Sequence, residues 1–562
     1  MKKSWLRKNV VYVLILLFVG ASVIPNISGG IGIKNKSEQI GRSTTDWWPM
    51  FRHDPGNTAY SLSKAPEEWV EYWKYQTTEF IIGSPVITNG KLYIGTLGDY
   101  KRLNTLSEIP ILLQPLSENG SLLCIDAADG GLIWEHSSVF IITSPAVDYG
   151  KVFFSYLVNE DEGKIACLNA ETGNQLWEKS IYYFITSPII SAGNVYVASS
   201  GVDVPMGTIY CLNATTGNQL WTYTPSIIDY ISCSPAILNG KLYCVHDSMT
   251  GIYVSCLNAV TGQLIWDVQM TTDTSIQSFS IAAASDTIVV AAASYDGTYG
   301  KVYALNPTNG NDIWSYQTDE WYTQWPDIVP SLTITYNKVY FITMLLSSNS
   351  VIYCLDLDTG IELWTMDLGD ISASSPSIAD EKMYFTTVGG LIYCLNTTDG
   401  DFIWSTYFKG GVSSPSIANE TIFAVDNPGT IYAYGAPREP EIPTIEGPVN
   451  GKIKTIYNYT FLTTDLQGND IFYYIDWGDG QSENWVGPYG SDEQVLIGHT
   501  WSKRGSYLIK AKAKDIYDFE SDWGTLSVKM PCSYNIPLIQ FWGRLLERFP
   551  NAFPILHHIL RY

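Results

Sequence analysis

Positive charge is scarce in this sequence of 562 residues: 33 Lys and Arg stand against 56 Asp and Glu, a formal net charge of −23. A chain this acidic lacks the basic surface that phosphate backbones require, which excludes nucleic acid as a partner. Histidine is scarcer still, with six residues at His53, His136, His246, His499, His557 and His558. None of them frames an H-E-x-x-H metal motif, and neither a P-loop nor a G-x-S-x-G elbow occurs. Beyond the first residues no apolar run is long enough to span a bilayer, which takes about 20 residues. Nine cysteines are present and no two are adjacent, which excludes a vicinal disulfide.

What is present begins with an export signal. Lys2, Lys3, Arg7 and Lys8 precede the apolar stretch VVYVLILLFV, and Val19-Gly20-Ala21 offers small residues for cleavage. Residues 1–21 therefore read as a signal peptide, with an uncleaved anchor as the alternative, followed by a linker over 22–45. Export predicts a secreted, extracellular or cell-surface protein. Under export, Asn35, Asn119, Asn213, Asn396, Asn419 and Asn458, each in Asn-x-Ser/Thr, become candidate glycosylation sites.

A single pattern then recurs. Its clearest copy reads SPAILNGKLYCV, a short gap, and VSCLNAVTGQLIW, ending at Trp266. The closing tryptophan returns at Trp134, Trp177, Trp221, Trp314, Trp364 and Trp404, and a glycine lies four residues before each: Gly130, Gly173, Gly217, Gly262, Gly310, Gly360 and Gly400. Spacings of about 40 to 50 residues indicate a solenoid or propeller. Each unit holds four short β-rich runs separated by turn signals, which makes a propeller blade. The last unit stops after three runs, whereas Glu67–Gln76, with Trp73, is a tryptophan strand without a preceding unit. Joining the two predicts a closed ring of eight blades, whose inner strands start near Ser84, Ser144, Ser187, Ser234, Ser280, Ser331, Ser375 and Ser414. Six cysteines share one repeat position (Cys124, Cys167, Cys211, Cys256, Cys354, Cys394), and Ala304 and Ala433 fill it elsewhere. Interchange with alanine predicts small, buried, unpaired thiols. Cys233 and Cys244 fall on neighbouring strands at offset positions that argue against a bond, and Cys532 has no evident partner.

The copies NAETGNQLW (169–177) and NATTGNQLW (213–221) resemble the tryptophan-docking motif of quinoprotein-type, PQQ-repeat propellers. The resemblance implies that Trp73, Trp134, Trp177, Trp221, Trp266, Trp314, Trp364 and Trp404 each pack between adjacent blades. WWPMFRHDPGNTAYS (47–61) resembles the leading segment of many secreted members. The likeness covers 46–436 and is specific for fold rather than function. A Pro-rich linker follows over 437–445. Within 446–530, YYIDWGDGQ, HTW and GSYLIKAKAKD resemble a PKD domain, an immunoglobulin-like β-sandwich. Asp476 and Asp479 there read as turn-shaping residues rather than calcium ligands. Residues 531–562 read as an amphipathic tail, with Leu538, Phe541, Trp542, Leu545, Leu546 and Phe549 at helical spacing. The fold class is thus all-β: an eight-bladed propeller followed by a sandwich.

Two functions from different classes follow. In the first, the protein is a non-catalytic binding or scaffold protein without cofactor, engaging a protein or carbohydrate at the cell surface. It is a monomer and touches membrane only through an uncleaved signal or the tail. It also resembles the propeller lipoprotein of the outer-membrane β-barrel assembly machine, although a lipid-attachment cysteine does not follow the signal. In the second, the resemblance implies a pyrroloquinoline quinone dehydrogenase with calcium, but the vicinal disulfide and acidic ligand set of those enzymes are not recognisable. No catalytic, cofactor-binding or metal residue is assigned. The candidate ligand face consists of aromatics ahead of the inner strands: Phe80, Phe140, Tyr183 and Tyr230, together with Trp321, Tyr322 and Trp325. Such residues grip sugars and peptides, or merely pack the strand entrances.

Overall fold

The computed structural model describes residues 46–530, apart from 67, 78, 82, 98–99, 103–112, 116–119, 139–140, 142, 159–161, 183, 201–206, 226–229, 232, 322–330, 345–348, 373, 412, 427–428 and 466, and it describes Arg544 and Arg548 of the tail. The signal peptide, the 22–45 linker, Cys532 and the apolar stripe of the tail lie outside the described residues.

Among the described residues, eight sheets are built on the same four-strand order. In the clearest one, Ala236–Leu238, Lys241–Ser248, Gly251–Asn258 and Leu264–Thr271 pair antiparallel in sequence. The first turn of a blade needs positive φ at both central positions to match strand twist. Asn239 and Gly240 supply it with φ of 50° and 73°. The second turn is capped by its own side chain. Asn213 Oδ1 accepts the N–H groups of Thr215 and Thr216, both at 3.0 Å, and Gly217 N–H closes onto Asn213 C=O at 2.9 Å.

The tryptophans bind blade to blade. The Trp177 ring lies against Gly217 of the next blade so closely that a Cβ there would sit 2.7 Å from it. The same pairing joins Trp73 to Gly130, Trp134 to Gly173, Trp221 to Gly262, Trp266 to Gly310, Trp314 to Gly360 and Trp364 to Gly400. Nε1 of Trp73, Trp134, Trp177, Trp221, Trp314 and Trp364 donates to the carbonyls of Ala127, Ala170, Ala214, Ala259, Leu357 and Thr397 at 2.8–3.3 Å. A carbonyl has two lone pairs. The second is used by Tyr93, Tyr196 and Tyr340, whose hydroxyls donate to Ala170, Ala259 and Thr397. Glycine is therefore required twice, for φ and for ring clearance.

Cys124, Cys167, Cys211, Cys256, Cys354 and Cys394 are direct cross-strand partners of those tryptophans, and Ala304 and Ala433 pair with Trp314 and Trp73 in the same way. All eight are fully buried. None of the six cysteines, nor Cys233 or Cys244, is joined in a disulfide. Burial pushes Cys124, Cys167, Cys211 and Cys354 up to about 12 and Cys256 to about 11, which keeps them as inert thiols.

The ring closes through Val70–Gln76, which pairs antiparallel with Thr430–Gly435 as the outer strand of the last sheet. At this joint no turn precedes the closing strand. Tyr384 donates instead to Pro66 C=O at 2.9 Å, and Trp69 packs 6.1 Å from Trp404.

The sandwich begins inside the expected linker, at Thr444: Thr444–Glu446, Tyr457–Leu462 and Val495–His499 form one sheet, and Ser482–Tyr489, Ile471–Asp476, Gly505–Lys514 and Gly524–Met530 form a second. Their inner faces share a core containing Tyr459, Phe461, Tyr473, Trp477, Trp501 and Ile509. Alternation along Leu508–Lys514 sends Ile509, Ala511 and Ala513 inward.

Candidate functional site

The innermost strand of every blade is a sheet edge facing the ring axis, and its backbone groups need partners. The sequence meets this need in three ways. Proline follows the first serine in six of the eight units, which removes a donor at the start of an edge strand. The serines themselves then join neighbouring blades. Ser84 N–H donates to Ser144 Oγ at 2.8 Å, Ser144 to Ser187 at 3.1 Å, Ser331 to Ser375 at 2.8 Å, Ser375 to Ser414 at 2.9 Å and Ser414 back to Ser84 at 3.2 Å.

The third device is the leading segment. Its carbonyls at Trp48, Pro49, Pro55, Gly56, Thr58 and Ala59 accept from Ile87, Val147, Ile237, Ala283, Ile334 and Ile378, at 2.6–3.1 Å. Those six donors belong to the inner strands of six different blades. Asn57 Nδ2 donates to Pro235 C=O at 2.9 Å and Ile281 C=O at 3.1 Å. The buried Arg52 guanidinium donates to Thr333 Oγ1 at 2.7 Å, Pro376 C=O at 3.2 Å and Leu332 C=O. The ends of the segment are clasped by Asp46, whose Oδ2 accepts from Ser61 Oγ at 3.0 Å and lies 3.1 Å from His53 Nε2. His53 Nδ1 lies 3.7 Å from Asp54. Burial pulls the His53 imidazole down, but Asp46 and Asp54 outweigh it and raise the group to about 9. Sequence reading gave this segment only a resemblance. Its polar run of Arg52, His53, Asp54 and Asn57 was the available signal for partners across the ring.

Three residues of the expected aromatic face, Phe80, Tyr230 and Trp321, are described. Phe80 and Tyr230 are 36% and 41% exposed beside the inner-strand entrances, Tyr230 held by reciprocal backbone bonds with Asp247 at 3.0 and 2.9 Å. Phe140, Tyr183, Tyr322 and Trp325 lie outside the described residues. Trp321 corrects the expectation. It is fully buried, stacked 5.2 Å from Phe341 and edge-on 4.9 Å from Phe279, in space left by Gly300. It is a wedge between two blades and has no surface to offer a ligand.

One Ser, His and Asp meet in the ring. His246 Nε2 lies 3.0 Å from Ser255 Oγ and 3.2 Å from Asp267 Oδ1, while Ser255 donates to the same carboxylate at 2.7 Å. These contacts tie three strands of one blade together. In the sandwich, Asp476 Oδ1 accepts Gly478 N–H at 2.8 Å, and Asp479 takes Gln481 N–H at 3.1 Å and His499 Nε2 at 3.0 Å. Both shape their turn. A small cavity of about 120 Å³ lies where Trp47, Tyr72, Arg438 and Gln467 meet.

Parts of the chain are similar to known proteins. The profile of a family described as outer membrane protein assembly factor BamB matches residues 111–201, 161–344 and 348–437, together more than half of the chain. The protein of that name from Legionella pneumophila (strain Paris) is 25% identical over 215 residues, covering 37% of this chain and 51% of the relative. That of Yersinia pestis is 25% identical over 190 residues, covering 32% and 44%. The chain thus spans about half the length of the curated relatives it matches. The PKD domain of an M14-like peptidase from Thermoplasmatales archaeon SCGC AB-540-F20 is 58% identical over 17% of this chain and 98% of that domain, with a TM-score of 0.17.

Proposed function

Since the chain belongs to the family described as outer membrane protein assembly factor BamB, we propose that it is a non-catalytic scaffold of the cell envelope whose propeller holds a protein partner. One observation carries this reading: the axial edge groups of six blades are taken up by the protein's own leading segment. Polar groups along the axis are thereby spent on holding the ring. In this reading the partner is met by exposed aromatics beside the inner-strand starts, with Phe80 and Tyr230 at 36% and 41% exposure as candidates. Exposed aromatics on a rigid frame suit recognition of a protein surface, because they bring large contact area at little entropic cost. The net charge of −23 favours a partner with a basic patch.

Strands of a blade alternate in direction, so its loops alternate between the two faces of the ring. Phe80 and Tyr230 precede inner strands, whereas Tyr149, 73% exposed, sits on the turn at the opposite end of one. A photo-crosslinking residue at each position, in cells that make the protein, tests the reading. Adducts to one envelope protein are expected from positions 80 and 230 and none from 149. Equal adducts from all three, or glycan binding that Phe80→Ala and Tyr230→Ala abolish, would overturn it. Dye reduction by purified protein supplied with pyrroloquinoline quinone and calcium would do the same.

A further inference from the structure

Asp465 and Asp515 of the sandwich share an unusual arrangement. They are 3% and 1% exposed. Each commits Oδ1 to its own loop: Asp465 accepts the N–H groups of Gln467 and Asn469 at 2.8 and 3.0 Å, and Asp515 those of Tyr517 and Phe519, both at 2.9 Å. The Oδ2 atom of each is buried and has no hydrogen-bond partner among the described residues. Strand pairing brings the two loops to one end of the sheet. Phe472 pairs with Lys514, Asp515 follows Lys514 directly, and the Asp465 loop leads into Ile471–Asp476.

Buried carboxylate oxygens without partners are costly, and two that feel one another are costlier. Two remedies exist, a proton on one acid or a cation bound by both. The loops suit the second, because each holds its carboxylate by Oδ1 and leaves a buried Oδ2 without a hydrogen-bond partner among the described residues. Oxygen is the donor that both residues present, which selects a hard cation.

We propose that Asp465 and Asp515 form a binding site for a divalent cation of the calcium class, with their Oδ2 atoms as ligands. Among the described residues no group of three or more His, Cys, Asp or Glu is arranged for metal binding. Two carboxylates completed by water or backbone oxygen make a weak site, in the range of about 10⁻⁴ to 10⁻³ M known for extracellular modules. The cation also has a structural consequence. The Asp465 loop carries Gln467, whose amide, oriented to satisfy both groups, accepts Arg438 N–H at 2.7 Å and donates to Arg438 C=O at 3.2 Å. Asp465 N–H donates to Ser491 Oγ at 2.9 Å, and Ser491 donates back to Asp465 C=O at 3.1 Å. Fixing Asp465 therefore fixes the contact between sandwich and linker.

The test is equilibrium dialysis of the full exported chain against radioactive calcium, with hydrogen exchange read with and without chelator. One bound calcium per chain is expected, with slower exchange at the amides of Gln467, Asn469, Tyr517 and Phe519. Asp465→Asn and Asp515→Asn, which keep the Oδ1 acceptor, should each lose the ion, while Asp476→Asn keeps it. No calcium bound by the unaltered protein at about 5 mM, well above the expected dissociation constant, would overturn the proposal. So would equal binding by all variants, or exchange that responds to pH and not to calcium. The exchange measurement on unaltered protein stands even if a variant fails to fold.

Discussion

A single methyl group separates the glycines that dock a tryptophan from those that only turn the chain. Gly217 and Gly240 have nearly the same φ, 71° and 73°, but a Cβ at Gly217 meets the Trp177 ring at 2.7 Å and one at Gly240 meets nothing within 4 Å. Gly240→Ala should therefore cost only the left-handed conformation, about 1 kcal/mol. Gly217→Ala must add displacement of the ring and should cost about 3 kcal/mol in all. Urea unfolding of the two variants measures the difference. Equal losses would show that the tryptophan yields freely and that docking contributes little. These glycines were legible in the sequence because a repeat states the same local requirement seven times. The cysteine position was legible for the same reason, since exchange with Ala304 and Ala433 already marked it as small and buried.

At the scale of the element, the leading segment joins blades that the repeat pattern leaves separate. Its clasp titrates. The folded His53 is raised from 6.5 to about 9, so its contribution is fully present below about pH 6.5 and is lost as pH rises through about 9. Asp46→Asn removes one of the two carboxylates that raise it, leaving Asp54. Melting temperature followed from pH 6 to 10 should fall more steeply in the unaltered protein than in the variant. Parallel curves would mean the clasp does not hold the segment. This role was not legible beforehand, since every partner of the segment lies far away in sequence and the segment occurs once. Trp321 was misjudged for a related reason. In DEWYTQWPD nothing local says which aromatic turns inward, and the answer lies in Phe279, Phe341 and the absence of a side chain at Gly300. The carboxylates of Asp465 and Asp515 were hidden likewise, as two of many loop acids until strand pairing brought their loops to one end of the sheet.

For the whole molecule, everything depends on closure. Each blade is held by its two neighbours, so one broken joint exposes two faces and frees a strand edge. At the joint made by Val70–Gln76 an N-terminal strand completes the sheet of the C-terminal blade. The joint contains a docking contact, Trp73 on Gly130 with Nε1 donating to Ala127 C=O at 3.0 Å, and a backbone ladder to Thr430–Gly435. Two variants separate these parts. Trp73→Ala keeps the ladder and loses the ring, which should lower stability by about 3 kcal/mol and leave a monomer. Deletion of residues 46–76 removes the ladder and the leading segment together, uncovering the edge of Thr430–Gly435 and the axial N–H groups of six blades. Open edges of that kind pair between chains, so the deletion should elute as oligomers and melt in a broad transition. A deletion variant that stayed monomeric and melted like Trp73→Ala would show that three strands suffice for the last blade, and that the N-terminal strand decorates a ring already closed by its other contacts.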